Sequence, residues 1–341
     1  MVPHGGTATR TWREVAALGQ ELRSLGELRG TRVHAEVAIL MDWPSWWALE
    51  QDSHPSAGVV LAERLREHYA PLWQASIATD VVHPESDLSG YQLVVVPNLY
   101  LVSDAAINNV HEYVRSGGHL LMSFFTGIAD ECDRVRPGGY PAPFTGLLGL
   151  RIGEFWPLGD GAEITAEFGS GGGRFAATLW ADVIEPAGAE VLASYVTGDL
   201  AGTPALARHR YGAGTVTYLG TRLDPAAMCR VVLAAADEAG ARPVISGLPG
   251  GVEASRRCGP GGSYLILLNH SGSQATLDLP ASATSLLDPR PGNGVPASPG
   301  RLILPARGVA VFREHEAAER PSASRASMIP RPAGAGLYGG G

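Results

Sequence analysis

The run Asp42-Trp43-Pro44-Ser45-Trp46-Trp47-Ala48-Leu49-Glu50 crowds three indoles and two carboxylates together. Indoles stack on the faces of sugars, and carboxylates accept hydrogen bonds from hydroxyls. Trp43, Trp46, Trp47 and Glu50 therefore form a candidate sugar-facing surface. Three Trp residues so close together suit a contact with a neighbouring domain or subunit at least as well. A second candidate is Ser123-Phe124-Phe125-Thr126-Gly127-Ile128-Ala129-Asp130-Glu131, followed by Cys132. Asp130 and Glu131 are types that serve as acid and base, and Cys132 is a type that serves as nucleophile. Adjacent carboxylates on a loop are usually solvated, however. No Gly-x-Cys-x-Gly elbow presents a thiol, and Cys132 falls several residues into loop. His54, His83, His111, His119, His209 and His270 lack the spacing of metal ligands. No cofactor or metal site is expected.

Both candidates follow predicted strands, at the end where open α/β sheets bind ligands. A helix is expected over Thr11 to Leu28, with Val15, Leu18, Leu22 and Leu25 in one apolar stripe. Val33 to Leu40 reads as a strand and Trp43 to Glu50 as an aromatic loop. Ala57 to Trp73 reads as a helix, Ile77 to Val82 and Leu93 to Val96 as strands, Ala105 to Ser116 as a helix and His119 to Phe124 as a strand. This alternation predicts a mostly parallel sheet, flavodoxin-like or amidotransferase-like, with right-handed crossovers. After Arg134 come short β-like pieces, among them a hairpin around Gly212-Ala213, then a helix over Pro225 to Ala239. From Gly251 onwards, short strands between Gly/Pro turns predict a small antiparallel sandwich. Residues 315 to 341 are rich in Ala, Pro, Ser, Arg and Gly and are expected to be a disordered tail.

Composition narrows the functional classes. The chain of 341 residues is 45% hydrophobic and 18% charged, with 44 Gly and 25 Pro, which suits large cores and many turns. A net charge of −8 without a Lys/Arg-rich block speaks against nucleic-acid binding. The cysteines Cys132, Cys229 and Cys258 are sparse and distant, so neither a disulfide framework nor a thiolate zinc site is expected. No run is apolar enough to span a membrane, and no signal peptide is recognisable. A reducing, cytoplasmic location is the expectation.

The order of motifs resembles the C-terminal part of glycoside hydrolase family 42 β-galactosidases. The likeness is carried by Met1-Val2-Pro3-His4-Gly5-Gly6 before a helix, by Val37-Ala38-Ile39-Leu40-Met41-Asp42-Trp43-Pro44-Ser45-Trp46-Trp47-Ala48-Leu49-Glu50, and by Val94-Val95-Val96-Pro97-Asn98-Leu99-Tyr100-Leu101. Phe124 to Glu131, Gly138-Gly139-Tyr140-Pro141, Gly220-Thr221-Arg222-Leu223 and Leu267-Leu268-Asn269-His270 complete it. The resemblance implies a last barrel loop and helix over 1–32, an α/β trimerisation domain over 33–247 and a small β domain over 248–314. It implies a homotrimer, and family activity on terminal β-D-galactosides. In the family a (β/α)₈ barrel holds the acid/base and nucleophile glutamates. No residue here matches either one, so no catalytic residue is assigned. The chain alone is expected to be inactive, an assembly portion of a truncated β-galactosidase. Trp43, Trp46, Trp47 and Glu50 become candidates for a barrel-facing surface. The alternatives are a carbohydrate-binding module using the three Trp residues, or an independent amidotransferase-like hydrolase using Cys132 or Asp130 and Glu131.

Overall fold

A computed structural model describes residues 4–279, 283–288, 292–298 and 300–315. Helix α1 (Arg10–Ser24) is capped by Thr9, whose side chain accepts from the Trp12 amide. The predicted apolar stripe is present but faces outward. No residue of α1 is buried, and Leu18 and Leu22 are 53% and 58% exposed. Where one strand was expected over Val33 to Leu40 there are two, β1 (Arg32–Val33) and β2 (Val37–Leu40), in different sheets. The expected aromatic loop is a helix, α2 (Trp43–Leu49). There follow α3 (Leu61–Gln74), β3 (Thr79–Val82), β4 (Leu93–Val96), α4 (Asp104–Arg115) and β5 (His119–Ser123).

The region after Arg134 is not a set of separate short pieces. After the single-turn helix α5 (Thr145–Leu148) come β6 (Leu150–Pro157), β7 (Glu163–Phe168), β8 (Arg174–Pro186), β9 (Glu190–Tyr195), β10 (Pro204–Tyr211), β11 (Gly214–Leu219) and β12 (Thr221–Leu223), then α6 (Pro225–Glu238). All seven strands join β2 to β5 in one 11-stranded sheet. The sheet is parallel only over β3-β2-β4-β5-β11. Its other pairings are antiparallel. Strands β2 to β5 pair in parallel as expected, but the sheet as a whole is mixed rather than parallel. Short connections such as Gly212-Ala213 return the chain beside itself and can only make antiparallel pairs. Beyond Gly220 the line of β11 continues as β12, which pairs with β8, so the antiparallel half curls back on itself.

Alternation along the parallel strands sorts their side chains onto two faces. Val37, Ile39, Leu93, Val95 and Leu121 pack with Leu72 of α3 and Val231 and Val232 of α6. Ala38, Leu40, Val94, Val96, Leu120 and Met122 pack with Val110 and Val114 of α4. Cover on both faces is why β2 and β4 are apolar at every position.

The remaining strands are β13 (Val252–Gly259), β14 (Gly262–Asn269), β15 (Ala275–Asp278), β16 (Ala283–Ser285), β17 (Val295–Ser298), β18 (Arg301–Leu304) and β19 (Val309–Glu314). They form a five-stranded sheet, β1-β13-β14-β19-β16, and a three-stranded sheet, β15-β18-β17, around Leu265, Leu267, Leu277, Leu302, Leu304 and Phe312. The edge strand of the first sheet is thus supplied from more than two hundred residues upstream. Of the expected disordered tail, all but His315 lies outside the described residues. Among the described residues, no helix is long and apolar enough to cross a membrane.

Candidate functional site

The carboxyl ends of the parallel strands are the place to look for a ligand. Leaving β2, the chain turns at Asp42, whose carboxylate caps α2 by accepting from the Ser45 amide at 3.1 Å. The second carboxylate oxygen lies 3.3 Å from Nε2 of His83, at the end of β3. The Glu85 amide donates to His83 Nδ1 at 3.2 Å, so the neutral ring carries its proton on Nε2, facing Asp42. Inward, α2 buries Ser45, Ala48 and Leu49, with half-buried Trp46 packed beside them. The Leu101 amide donates to the buried Ser45 hydroxyl at 3.1 Å and ties the helix to the segment that follows β4. Outward, Trp43 stacks on Trp46 with ring centres 5.3 Å apart and planes 11° apart, and Trp47 leans against Trp43 at 6.3 Å. Trp46 Nε1 donates to Glu50 at 2.6 Å. Trp43 and Trp47 are 56% and 64% exposed. The structure thus brings the four predicted residues into one outward-facing aromatic ridge rather than a pocket.

The second candidate does not assemble. Asp130 Oδ1 accepts from the amides of Cys132 and Arg134 at 2.9 and 3.0 Å, and Oδ2 meets the Arg134 guanidinium. The Arg134 amide foremost, then the Cys132 amide and the Arg134 charge, hold its carboxyl below the usual range. Asp130 therefore shapes a turn. Glu131 and Cys132 are exposed beside it.

Two strand ends carry left-handed backbone, Asn98 after β4 (φ 48°) and Phe125 after β5 (φ 55°). Strain of this kind is where a nucleophile elbow would sit. Here the Asn98 amide group donates to the Phe124 carbonyl at 2.8 Å, and Phe125 stacks on Tyr100 at 5.3 Å and touches Trp180 at 4.9 Å. Phe155, Tyr140 and the edge-on ring of His54 complete the cluster. Aromatic rings fill the crevice where a substrate would lie. A groove of about 340 Å³ lies elsewhere, against β7 and β9, and its carboxylate, Glu167, is paired with Arg174.

Sequence reasoning missed two buried polar groups. His68 of α3 accepts from the Ser123 hydroxyl at 2.7 Å, since its Nδ1 proton goes to the Arg64 carbonyl, also at 2.7 Å. This Ser–His pair has the form of a nucleophile and base, yet both residues are buried and burial lowers the imidazole to about 4. Asp182 of β8 accepts from Trp180 Nε1 at 2.7 Å and from Tyr218 at 2.8 Å. Burial pushes it up to about 7 against the pull of those donors. A His four residues after Arg64 on the inner face of α3 was the only signal for the first pair. Nothing local marks the second. Among the described residues, no group of three or more His, Cys, Asp or Glu side chains could hold a metal ion.

The chain is thus a mixed α/β sheet followed by a β sandwich, with an exposed aromatic ridge on α2. Residues 35–242 match the family profile described as the β-galactosidase trimerisation domain, and residues 251–314 match the β-galactosidase C-terminal domain. The β-galactosidase BgaB of Geobacillus sp. is 37% identical over 321 residues, 93% of this chain and 47% of that protein. A β-galactosidase of Arthrobacter sp. is 39% identical over 84% of this chain and 40% of that protein. The crystal structure of the β-galactosidase from Bacillus circulans sp. alkalophilus superposes with a TM-score of 0.85 at 32% identity, covering 92% of this chain and 46% of that one. The chain belongs to the glycoside hydrolase family 42 β-galactosidases and spans about half the length of the curated relatives it matches.

Proposed function

We propose that this chain is the assembly and C-terminal portion of a β-galactosidase, acting on terminal β-D-galactosides only together with a catalytic barrel. The filled crevice at the strand ends carries this reading. A retaining glycosidase needs two carboxyl groups roughly 5 Å apart across an accessible bond. The most suggestive acids here are engaged otherwise: Asp130 shapes a turn and Asp182 is sealed in the core. The division is into residues 1–32, ending the barrel, 33–247 for trimerisation and 248–314 for the β domain. The two family profiles, at 35–242 and 251–314, agree with the last two units. Counted along the chain, the parallel strands run 2-1-3-4-5, the flavodoxin-like order. The working form is a homotrimer. In this reading the ridge of Trp43, Trp46 and Trp47, with Glu50, faces the barrel. Three unpaired cysteines suit a cytoplasmic setting. The test is hydrolysis of an aryl β-galactoside by the purified chain. Turnover is expected to stay at background. Turnover abolished by Asp130→Asn or Glu131→Gln would overturn the proposal.

A further inference from the structure

No residue of helix α1 is buried, yet its last turn and the segment leaving it are held by the β sandwich. Asn293 Nδ2 donates to Glu21 Oε1 at 3.0 Å. Glu27 forms an ion pair with Arg313 of β19. Arg257 of β13 donates from Nε to the Thr31 hydroxyl at 3.0 Å and from Nη2 to the Thr31 carbonyl at 2.6 Å. Arg32 and Val33 then pair antiparallel with Cys258 and Arg257. Contact at Thr31 is close: a Cβ added to Gly259 would sit 2.9 Å from Thr31 Cγ2 and 3.3 Å from its Cα.

The sandwich is itself fixed to the α/β sheet. Val244, Ile245 and Leu248 of the connecting segment pack on its core, and the Val244 amide donates to the Ser76 carbonyl at 2.8 Å. Trp73 of α3 lies 5.9 Å from the His270 ring, and Arg242 N donates to Glu36 at 2.6 Å. The sandwich and its connecting segment therefore contact both α3 and the segment from residue 21 to 33.

We propose that the C-terminal β sandwich is an orientation clamp: its β13–β19 face takes up residues 21–33 and so sets the direction in which α1 leaves the α/β sheet. If α1 ends the barrel, which rests on the reading above, the sandwich aligns the barrel with the trimerisation unit without touching substrate. The partner that this face fits is an extended strand preceded by an acidic residue, with the hydroxyl and carbonyl of Thr31 offered to Arg257.

Released from the clamp, residues 25–33 would act as a flexible tether with a spread of roughly 15 Å. The chain, carrying nitroxide amino acids at the exposed positions Gln20 of α1 and Asn108 of α4 and diluted with an excess of unlabelled chain so that an oligomer holds at most one labelled subunit, reads this directly by electron–electron double resonance. The chain without other changes is expected to give one narrow distance distribution. Arg257→Ala with Arg313→Ala is expected to broaden it towards the tether's spread. Arg313→Glu alone is expected to broaden it as well, and adding Glu27→Arg to that variant is expected to restore the narrow width, which a merely misfolded variant would not. A broad distribution in the parent chain, or a narrow one in the double alanine variant, would overturn the clamp. The readout needs no galactosidase activity, so it stands or falls apart from the family reading.

Discussion

Two buried titratable groups, Asp182 of β8 and His68 of α3, pull stability in opposite directions. Asp182 moves from 3.8 to about 7 because burial disfavours the carboxylate. A raised carboxyl binds its proton more tightly in the folded chain, so its contribution is full below 3.8 and is lost as pH rises to about 7. His68 moves from 6.5 down to about 4, also by burial. Its contribution is present above 6.5 and is lost as pH falls towards 4. Between about pH 4 and 6.5 the two slopes oppose each other. Relative to the parent chain, Asp182→Asn is expected to gain stability as pH rises through that window, and His68→Gln to gain it as pH falls. Urea midpoints measured across the window check this. Parallel pH profiles for all three proteins would contradict it. Neither group was legible as a pair in the sequence, because Ser123 and His68 are 55 residues apart and Asp182 and Tyr218 are 36 apart. Only the folded sheet brings them together.

At the scale of elements, the strands of the parallel sheet were legible because continuous apolar runs have few other uses. Helix α2 was not. Its large residues, Trp43 and Trp47, point outward, and its inward face is Ser45, Ala48 and Leu49, at the i, i+3, i+4 spacing of a helix but too small to register as an apolar stripe. Pro44 sits in the first turn, which tolerates proline. Strand β1 escaped for another reason: its partners lie on β13, and no local pattern announces a pairing over such a distance. The aromatic cluster was legible in composition, though not in its arrangement as a ridge. Because α2 has only seven residues, its cap matters. Asp42→Ala is expected to cost about 1 kcal/mol and to weaken the near-ultraviolet dichroism of the Trp43–Trp46 stack. Asp42→Asn, which keeps an acceptor for the Ser45 amide, is expected to retain that signal. A spectrum unchanged in the alanine variant would show that the tie from Leu101 to Ser45 holds the helix by itself.

At the scale of the molecule, each large structural feature serves positioning. The sheet buries both faces of β2 and β4, aromatic rings close the strand ends, and the sandwich holds the segment after α1. Leu18 and Leu22 on α1 and Trp43 and Trp47 on α2 form two pairs of exposed apolar side chains. Exposed apolar surface of this kind marks contacts with other bodies. Division into an α/β unit and a β unit was legible from texture alone, since helical periods stop where Gly/Pro-punctuated strands begin. The antiparallel continuation of the first sheet was not, because short strands between residues 150 and 223 do not reveal which sheet they join. If this chain assembles as proposed, its mass in solution shows it most directly. Light scattering coupled to size exclusion at tens of micromolar is expected to give three times 35.7 kDa, about 107 kDa. A mass that stays at 35.7 kDa across the accessible concentration range would contradict it.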